Sequence, residues 1–260
     1  MGKKNHFVFQ YKGNKHAEID NIINHIDFTD KKNIIEPFCG SSAMSFNIWK
    51  LYKDKFNYIL NDLDKDLYNY YRFIKYDLCS YEEFEDNLNR ITQEFLNHND
   101  KKSFYNEIYQ NNRNIYDYIF CKKHNGLGID GLCPSIKRIA KNKFQLTKEQ
   151  KDFFDFIKSS NVKIYNTEWS YVYSKYKDFN DCILILDPPY AFSCNTFYVD
   201  DNIEDIYTNL VYTLNMNTYL IIQDLWIMRL LFKDFKILDC YDKHYELKHK
   251  RTSHIIISKK

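Results

Sequence analysis

The chain has 260 residues, of which 28% are charged and 44% hydrophobic, and its formal net charge is only +2. That length holds one large domain or a core domain with an insertion, and the balance is ordinary for a globular protein. A net charge so close to zero excludes a surface that is basic all over, so any nucleic-acid site must be local, and the absence of an apolar run of spanning length argues against a membrane protein.

Residues 16–27 read as a helix, with Ile19, Ile22, Ile23 and Ile26 on one face. NIIEPF (33–38) reads as a buried strand, and MSFNIWKLYK (44–53) as the helix after it. NYILND (57–62) is a second strand, followed by a helix through KDLYNYYRFIK (65–75). Strand–helix–strand–helix order predicts an α/β fold with a parallel sheet. The pattern then changes. Ser80 and Glu83 form a capping-box signature, and Phe84, Leu88, Ile91 and Phe95 follow at helical spacing. From about 79 to 159 the chain reads as helical and then irregular, without a buried strand. Strands resume with NVKIYN (161–166), CILILD (182–187) and TYLIIQ (218–223), and FKILDCY and SHIIISKK read as two more. The expectation is one α/β domain built from residues 1–78 and 160–260, interrupted by a mainly helical insertion at 79–159.

The chemistry sits where strands stop. CILIL runs into Asp187, Pro188, Pro189 and Tyr190. Proline fixes φ, lacks an N–H and biases its predecessor away from helix, so the strand ends at Asp187 and a stiff, extended turn follows. A carboxylate, bare carbonyls and an aromatic face then stand at the carboxyl end of a buried strand, the edge where open α/β sheets bind ligands. Alone, the motif reads equally as a strand terminator that contains an acid. The first strand carries Glu36 and Phe38 and runs into a turn at Gly40, where close backbone approach and the first N–H groups of a helix face a ligand; most such turns are only connections. Asp62 ends the second strand, where an acid can accept from ribose hydroxyls; taken alone it serves equally as a helix cap. YKGNK (11–15) offers Tyr11 and Lys15 ahead of the first helix, and its plain reading is a solvated turn.

In order, YKGNK, EPFCGSSAMSFN, LNDLDKDLYNYY and LDPPY resemble the motifs of the D12-class, Dam-type DNA adenine-N6 methyltransferases. The resemblance covers nearly the whole chain, insertion included, and weakens after residue 191. It implies a Rossmann-like S-adenosylmethionine-dependent methyltransferase fold, a mostly parallel sheet with an antiparallel end strand. It implies that Tyr11 and Lys15 contact S-adenosylmethionine, that Glu36, Phe38 and Gly40 shape its pocket, and that Asp62 binds its ribose. Glu168 and Trp169 are similar to the acid–aromatic pair beside the cofactor's adenine, though Trp169 reads equally as core. Asp187, Pro188, Pro189 and Tyr190 are then catalytic, with Asp187 bridging cofactor and target base. The family's loop reads Phe-x-Gly-x-Gly; here the second glycine is Ser42, and serine takes positive φ less readily.

The amine of adenine is a poor nucleophile, because its lone pair is delocalised into the ring. A carboxylate and a proline carbonyl fixed in place would accept its two N–H bonds and stabilise the positive charge that grows during attack. A base inside a duplex cannot reach such a pocket and must be flipped out. The insertion would find the sequence. Residues 120–143 hold six Lys/Arg against one Asp, and Arg113, Lys122, Lys123, Lys137 and Arg138 are the expected DNA contacts, to phosphate before base edges. The family's Pro-Phe-Gly is replaced here by CPSIKR, so the recognised site cannot be copied from a relative. The alternatives are a cytosine-N4 or RNA target, or a catalytically silent nucleic-acid-binding homologue.

Seven dispersed cysteines with no signal peptide before them read as reduced intracellular thiols. The opening MGKKNH has His6 where a myristoylation signal has Ser or Thr. Cys121, His124 and Cys133 match no standard zinc-finger spacing, so no metal is expected. The expected partners are double-stranded DNA, no membrane, a second copy at most (monomer or homodimer), and a companion restriction endonuclease.

Overall fold

The computed structural model describes residues 5–9, 11, 15, 18–111, 114–125, 139, 143–190, 203–245 and 250–259. The chain divides into two compact units, one of Met1–Asn14 and Asn69–Ser159, the other of Lys15–Tyr68 and Ser160–Lys260.

The second unit holds a seven-stranded sheet. Its strands are β1 (Asn33–Glu36), β2 (Asn57–Asn61), β3 (Val162–Tyr165), β4 (Cys182–Leu186), β5 (Thr218–Gln223), β6 (Lys236–Tyr245) and β7 (Lys250–Ser258). They stand in the order β3-β2-β1-β4-β5-β7-β6. Pairs from β3 through β5 are parallel, and β7 runs antiparallel between β5 and β6. This is the Rossmann-like methyltransferase arrangement, and its antiparallel strand is the last in the chain. The order reverses between β1 and β4, which makes their carboxyl ends the ligand-binding crevice of such a sheet.

The central strands are apolar on both faces, as strands covered on both sides must be. β4 is buried at every residue. Leu184, Leu186, Leu220, Ile222 and Ile255 pack with Val172 and Tyr173 of α8 (Trp169–Tyr176), Ile206 and Leu210 of α9 (Ile203–Thr213), and Met228 of α10 (Trp226–Leu231). The alternate residues Ile34, Ile183, Ile185 and Ile221 are buried on the other face. β1 stops at Glu36 because Pro37 has no N–H to continue the ladder. α2 (Ala43–Tyr52) follows β1, and α3 (Lys65–Arg72) follows β2.

The helix expected over 16–27 is shorter: α1 spans Ile19–Ile23, and Ile26 is buried beyond its end, while residues 16 and 17 lie outside the described residues. The helix expected through Lys75 leaves α geometry after Arg72 and continues as a π-helical turn, Phe73–Asp77. There the Lys75 ammonium donates to the carbonyls of Ile157 and Ser159 at 3.1 and 2.8 Å.

The described elements of the first unit are helical: α4 (Tyr81–Asn97), α5 (Lys101–Asn111), α6 (Ile115–His124) and α7 (Lys148–Lys158). The Ser80 hydroxyl caps α4 by accepting from the Glu83 N–H at 3.0 Å, and α7 opens with a full capping box between Thr147 and Gln150. Ile91, Phe95, Tyr105 and Phe120 form one core of this unit. A second gathers Phe7, Phe9, Tyr70, Tyr71 and Phe153, mostly in edge-to-face pairs. The N-terminal stretch belongs here because Phe7, Val8 and Phe9 are all buried, and Gln150 Nε2 donates to the Phe7 carbonyl at 3.1 Å.

Candidate active site

Three carboxylates leave the sheet at one edge. Ile35 pairs with Leu184, and Glu36 with Leu60, so Glu36, Asp62 and Asp187 all emerge at the carboxyl ends of adjacent strands β1, β2 and β4. The loop after β1 is fastened to the end of β2. The Cys39 N–H donates to the Asn61 carbonyl at 2.8 Å. The buried Asn61 amide donates to the carbonyls of Pro37 and Thr167 at 2.9 and 3.0 Å and accepts from the Thr167 N–H at 3.1 Å. One side chain thus ties together three strand ends, a role that nothing in LNDLD announces.

Gly40 takes φ 47°, and its N–H donates to Asp62 Oδ2 at 2.8 Å. Asp62 Oδ1 accepts from the Asp64 N–H at 3.0 Å. The cap of α3 is Asp64, whose carboxylate accepts from the N–H groups of Asp66 and Leu67, so Asp62 is left to brace the loop and face the edge. Ser42 sits in the left-handed region at φ 51°, ψ 30°, where the family's glycine would stand.

Glu36 is buried, and its Oε1 accepts from the Ser45 N–H at 2.6 Å, near the start of α2. Burial pushes its carboxyl up to about 7, the Asp187 charge adds to the shift, and the Ser45 hydrogen bonds oppose it. Phe38 stacks on Trp169, with ring centroids 5.4 Å apart at 26°. Trp169 is a core residue at the start of α8, whereas Glu168 before it is exposed.

Asp187 forms an ion pair with Lys15 through Oδ2. The Lys15 side chain is 4% exposed and that of Asp187 23%. Burial pulls the Lys15 ammonium down, but the charges of Asp187 and Glu18 outweigh it and hold it above the usual lysine range. Lys15 Nζ also lies 5.1 Å from the centroid of the Tyr190 ring, within cation–π range. Pro188, Pro189 and Tyr190 are buried. The Pro189 carbonyl accepts from the hydroxyl of the buried Tyr207 at 3.1 Å, which pins the turn to α9. Tyr207, Asn61 and Glu18 are neighbours of the candidate site that sequence reading did not find.

Tyr11 belongs to the other unit, where its ring meets Phe7 edge-on at 5.8 Å. Of the expected DNA contacts, Lys122 and Lys123 lie in the last turn of α6, while Arg113, Lys137 and Arg138 lie outside the described residues, as does Cys133. Lys122 Nζ is 5.7 Å from the Tyr118 ring centroid, and Lys123 Nζ is 4.5 Å from that of Phe144. Burial lowers the Lys123 ammonium, and burial with the Lys123 charge pushes His124 down to about 4. Among the described residues no three His, Cys, Asp or Glu side chains gather as a metal site, and no helix is long and apolar enough to cross a membrane.

The model of the D12 class N6 adenine-specific DNA methyltransferases matches residues 11–239, and the chain belongs to that family. Two DNA adenine methylases from strains of Vibrio cholerae serotype O1 are 23% identical over 199 residues, 73% of this chain and 66% of theirs. The chain therefore spans just under two thirds of the length of these curated relatives. Among solved structures, the rRNA methyltransferase aviRa from Streptomyces viridochromogenes aligns over 94% of this chain and 83% of its own, with a TM-score of 0.39 and 10% identity.

Proposed function

We propose that this member of the D12 class transfers a methyl group from S-adenosylmethionine to the N6 amine of an adenine flipped out of double-stranded DNA. The observation that carries the reading is Asp187, a carboxylate held by a buried lysine at the end of β4, beside the loop that follows β1.

The donor set suits the cofactor. S-adenosylmethionine bears an ammonium, a sulfonium and a vicinal diol, and Glu36, Asp62 and Asp187 offer acceptors and negative charge along one edge. Gly40, with no Cβ, leaves room for close approach. Asp62 would hold the ribose, Glu36 would face the amino-acid end, and Phe38 with Trp169 would form the apolar wall on the adenine side. When bound, the cofactor supplies an electrophilic methyl group.

The protein's own part is to hold acceptors still. Lys15 holds one oxygen of the Asp187 carboxylate, and in this reading the carboxylate accepts from the amine of the base. The Pro188 carbonyl is the second acceptor for the amine, because the Pro189 carbonyl already serves Tyr207. Two acceptors on one amine draw its N–H bonds apart and stabilise the charge developing on nitrogen. Tyr190, packed beside Lys15, presents its ring to the base. Residues 79–159 would read the DNA, with Lys122 at the end of α6 on a phosphate.

The test is methyl transfer from labelled S-adenosylmethionine to duplex DNA, with N6-methyladenine mapped by sequencing. Wild type should methylate adenine in one sequence context. Asp187→Ala should lose at least 10²-fold in turnover, the usual effect of removing one preorganised group. Methylated cytosine or RNA alone, or a near-normal Asp187→Ala, would overturn the reading.

A further inference from the structure

Behind Lys15 lies a buried polar network that the proposed reaction does not use. Glu18, at the head of α1, is 3% exposed. Its Oε2 accepts from the Tyr241 hydroxyl at 2.9 Å and pairs with His254 Nδ1 at 2.6 Å. Tyr241 on β6 and His254 on β7 face each other in the ladder. His254 is fully buried ahead of a run of three buried isoleucines, Ile255, Ile256 and Ile257. Its ring centroid lies 5.2 Å from that of Tyr190, whose ring also lies by Lys15 Nζ.

Burying a carboxylate and an imidazole gives little stability for its desolvation cost, and an apolar set of the same volume often does as well. The arrangement is better explained by what it does to Lys15. That ammonium contacts Asp187, and the charge of Glu18, whose N–H donates to the Lys15 carbonyl at 2.8 Å, also attracts it. A lysine serving Asp187 alone would neutralise it and follow it. A lysine also drawn to a second fixed carboxylate keeps its place and leaves Asp187 a stronger acceptor. Among the described residues His254 Nε2 has no hydrogen-bond partner, so the imidazole acts through Nδ1 on Glu18, while its ring backs Tyr190.

We infer that Glu18, oriented by His254 and Tyr241, is a positioning residue that sets the place and charge balance of Lys15 and thereby of the Asp187 carboxylate. The catalytic half of this inference rests on the proposed methyl transfer; the coupling of Glu18 to Lys15 does not.

Glu18→Gln keeps the shape and an acceptor for Tyr241 but removes the charge. A purely structural Glu18 would tolerate it. The single-turnover rate at saturating cofactor and DNA should fall at least tenfold, while cofactor affinity stays within threefold and the melting temperature within a few degrees. Tyr241→Phe, which leaves every charge in place, should lower the rate in the same direction but less, and serves if the glutamine variant folds poorly. Independently, Lys15 acylation by acetic anhydride, read by peptide mass, should be at least threefold faster in Glu18→Gln, since the amine loses one of the charges that keep it protonated. Wild-type turnover in the folded glutamine variant, or unchanged Lys15 labelling, would overturn the inference. A wild type that methylates no adenine would defeat the proposed function instead, and the labelling would still decide whether Glu18 holds Lys15.

Discussion

The Tyr207 hydroxyl donates to the Pro189 carbonyl at 3.1 Å, so a helix residue eighteen positions downstream occupies one of the two bare carbonyls of the Asp-Pro-Pro-Tyr turn. Proline cannot return a hydrogen bond through its nitrogen, and this contact helps settle where the Pro188 carbonyl points.

Tyr207→Phe should therefore act on both stability and rate. The ring still fills its place in the core, but a buried carbonyl loses its donor, a loss of about 1–3 kcal/mol. For a chain of this size that lowers the melting temperature by roughly 2–4 °C per kcal/mol. Turnover should drop about tenfold, because preorganised acceptors lose effect when they can relax, while cofactor affinity holds. Thermal melting, calorimetry and single-turnover transfer check the three; a rate equal to wild type would detach Tyr207 from the chemistry.

The buried Glu36 carboxyl, raised from 4.5 to about 7, predicts two pH dependences. Between those values the folded state holds a proton that the unfolded state has lost, so stability should fall as pH rises through that window. Affinity for a cationic ligand should move the other way and increase as pH rises through about 7, because the carboxylate, not the acid, attracts an ammonium. Glu36→Gln should flatten both trends. Cofactor calorimetry and chemical denaturation at pH 5.5, 7 and 8.5 measure them, and a Glu36→Gln curve parallel to wild type would assign the dependence elsewhere.

Ser42 is held at φ 51° and fully buried. The left-handed region costs a side-chain-bearing residue about 1–2 kcal/mol, and glycine avoids that cost but gives up roughly 0.4–1 kcal/mol to greater freedom when unfolded. Ser42→Gly should thus be neutral or stabilising by up to about 1 kcal/mol, with cofactor binding kept. Ser42→Val places a β-branched residue in a region it scarcely visits and should lower stability and cofactor affinity together. Equal melting curves for the glycine and valine variants would show that the backbone is not strained there.

The strands were legible because each is a short apolar run closed by a turn residue or proline, and CILIL before Asp-Pro-Pro needs no tertiary context to be read as one. The strand-end acids followed, since Glu36, Asp62 and Asp187 lie where a parallel sheet exposes its ligand edge. α8, α9 and α10 were not read: they are short, and TNLVYT within α9 reads as readily as strand. Local sequence also could not show that the helix after β2 changes geometry at Phe73, because Lys75 finds its acceptors more than eighty residues away. The same distance hid the Glu18 network. His254 and Tyr241 are 236 and 223 residues from Glu18, and only a lone histidine within SHIIIS hinted that a strand carries a buried polar group.

Lys122 and Lys123 are neighbours on α6, and the structure separates them. Both ammonium groups lie over rings, Lys122 at 5.7 Å from Tyr118 and Lys123 at 4.5 Å from Phe144, but burial weighs on Lys123 and lowers its ammonium. A phosphate contact releases about 0.9 counterion from duplex DNA, so losing one flattens the slope of log affinity against log salt by about that amount. Lys122→Ala should show that loss, weakening all duplex DNA alike with the melting temperature unchanged. Lys123→Ala should instead lower stability, because it removes a stem packed over Phe144 as well as a charge, and should change the salt slope less. Binding to specific and random duplexes between 50 and 300 mM salt, with thermal melting of each variant, separates the two. If Lys122→Ala keeps the wild-type slope, the end of α6 does not lie on the DNA backbone and the basic stretch that follows it must carry the contact alone.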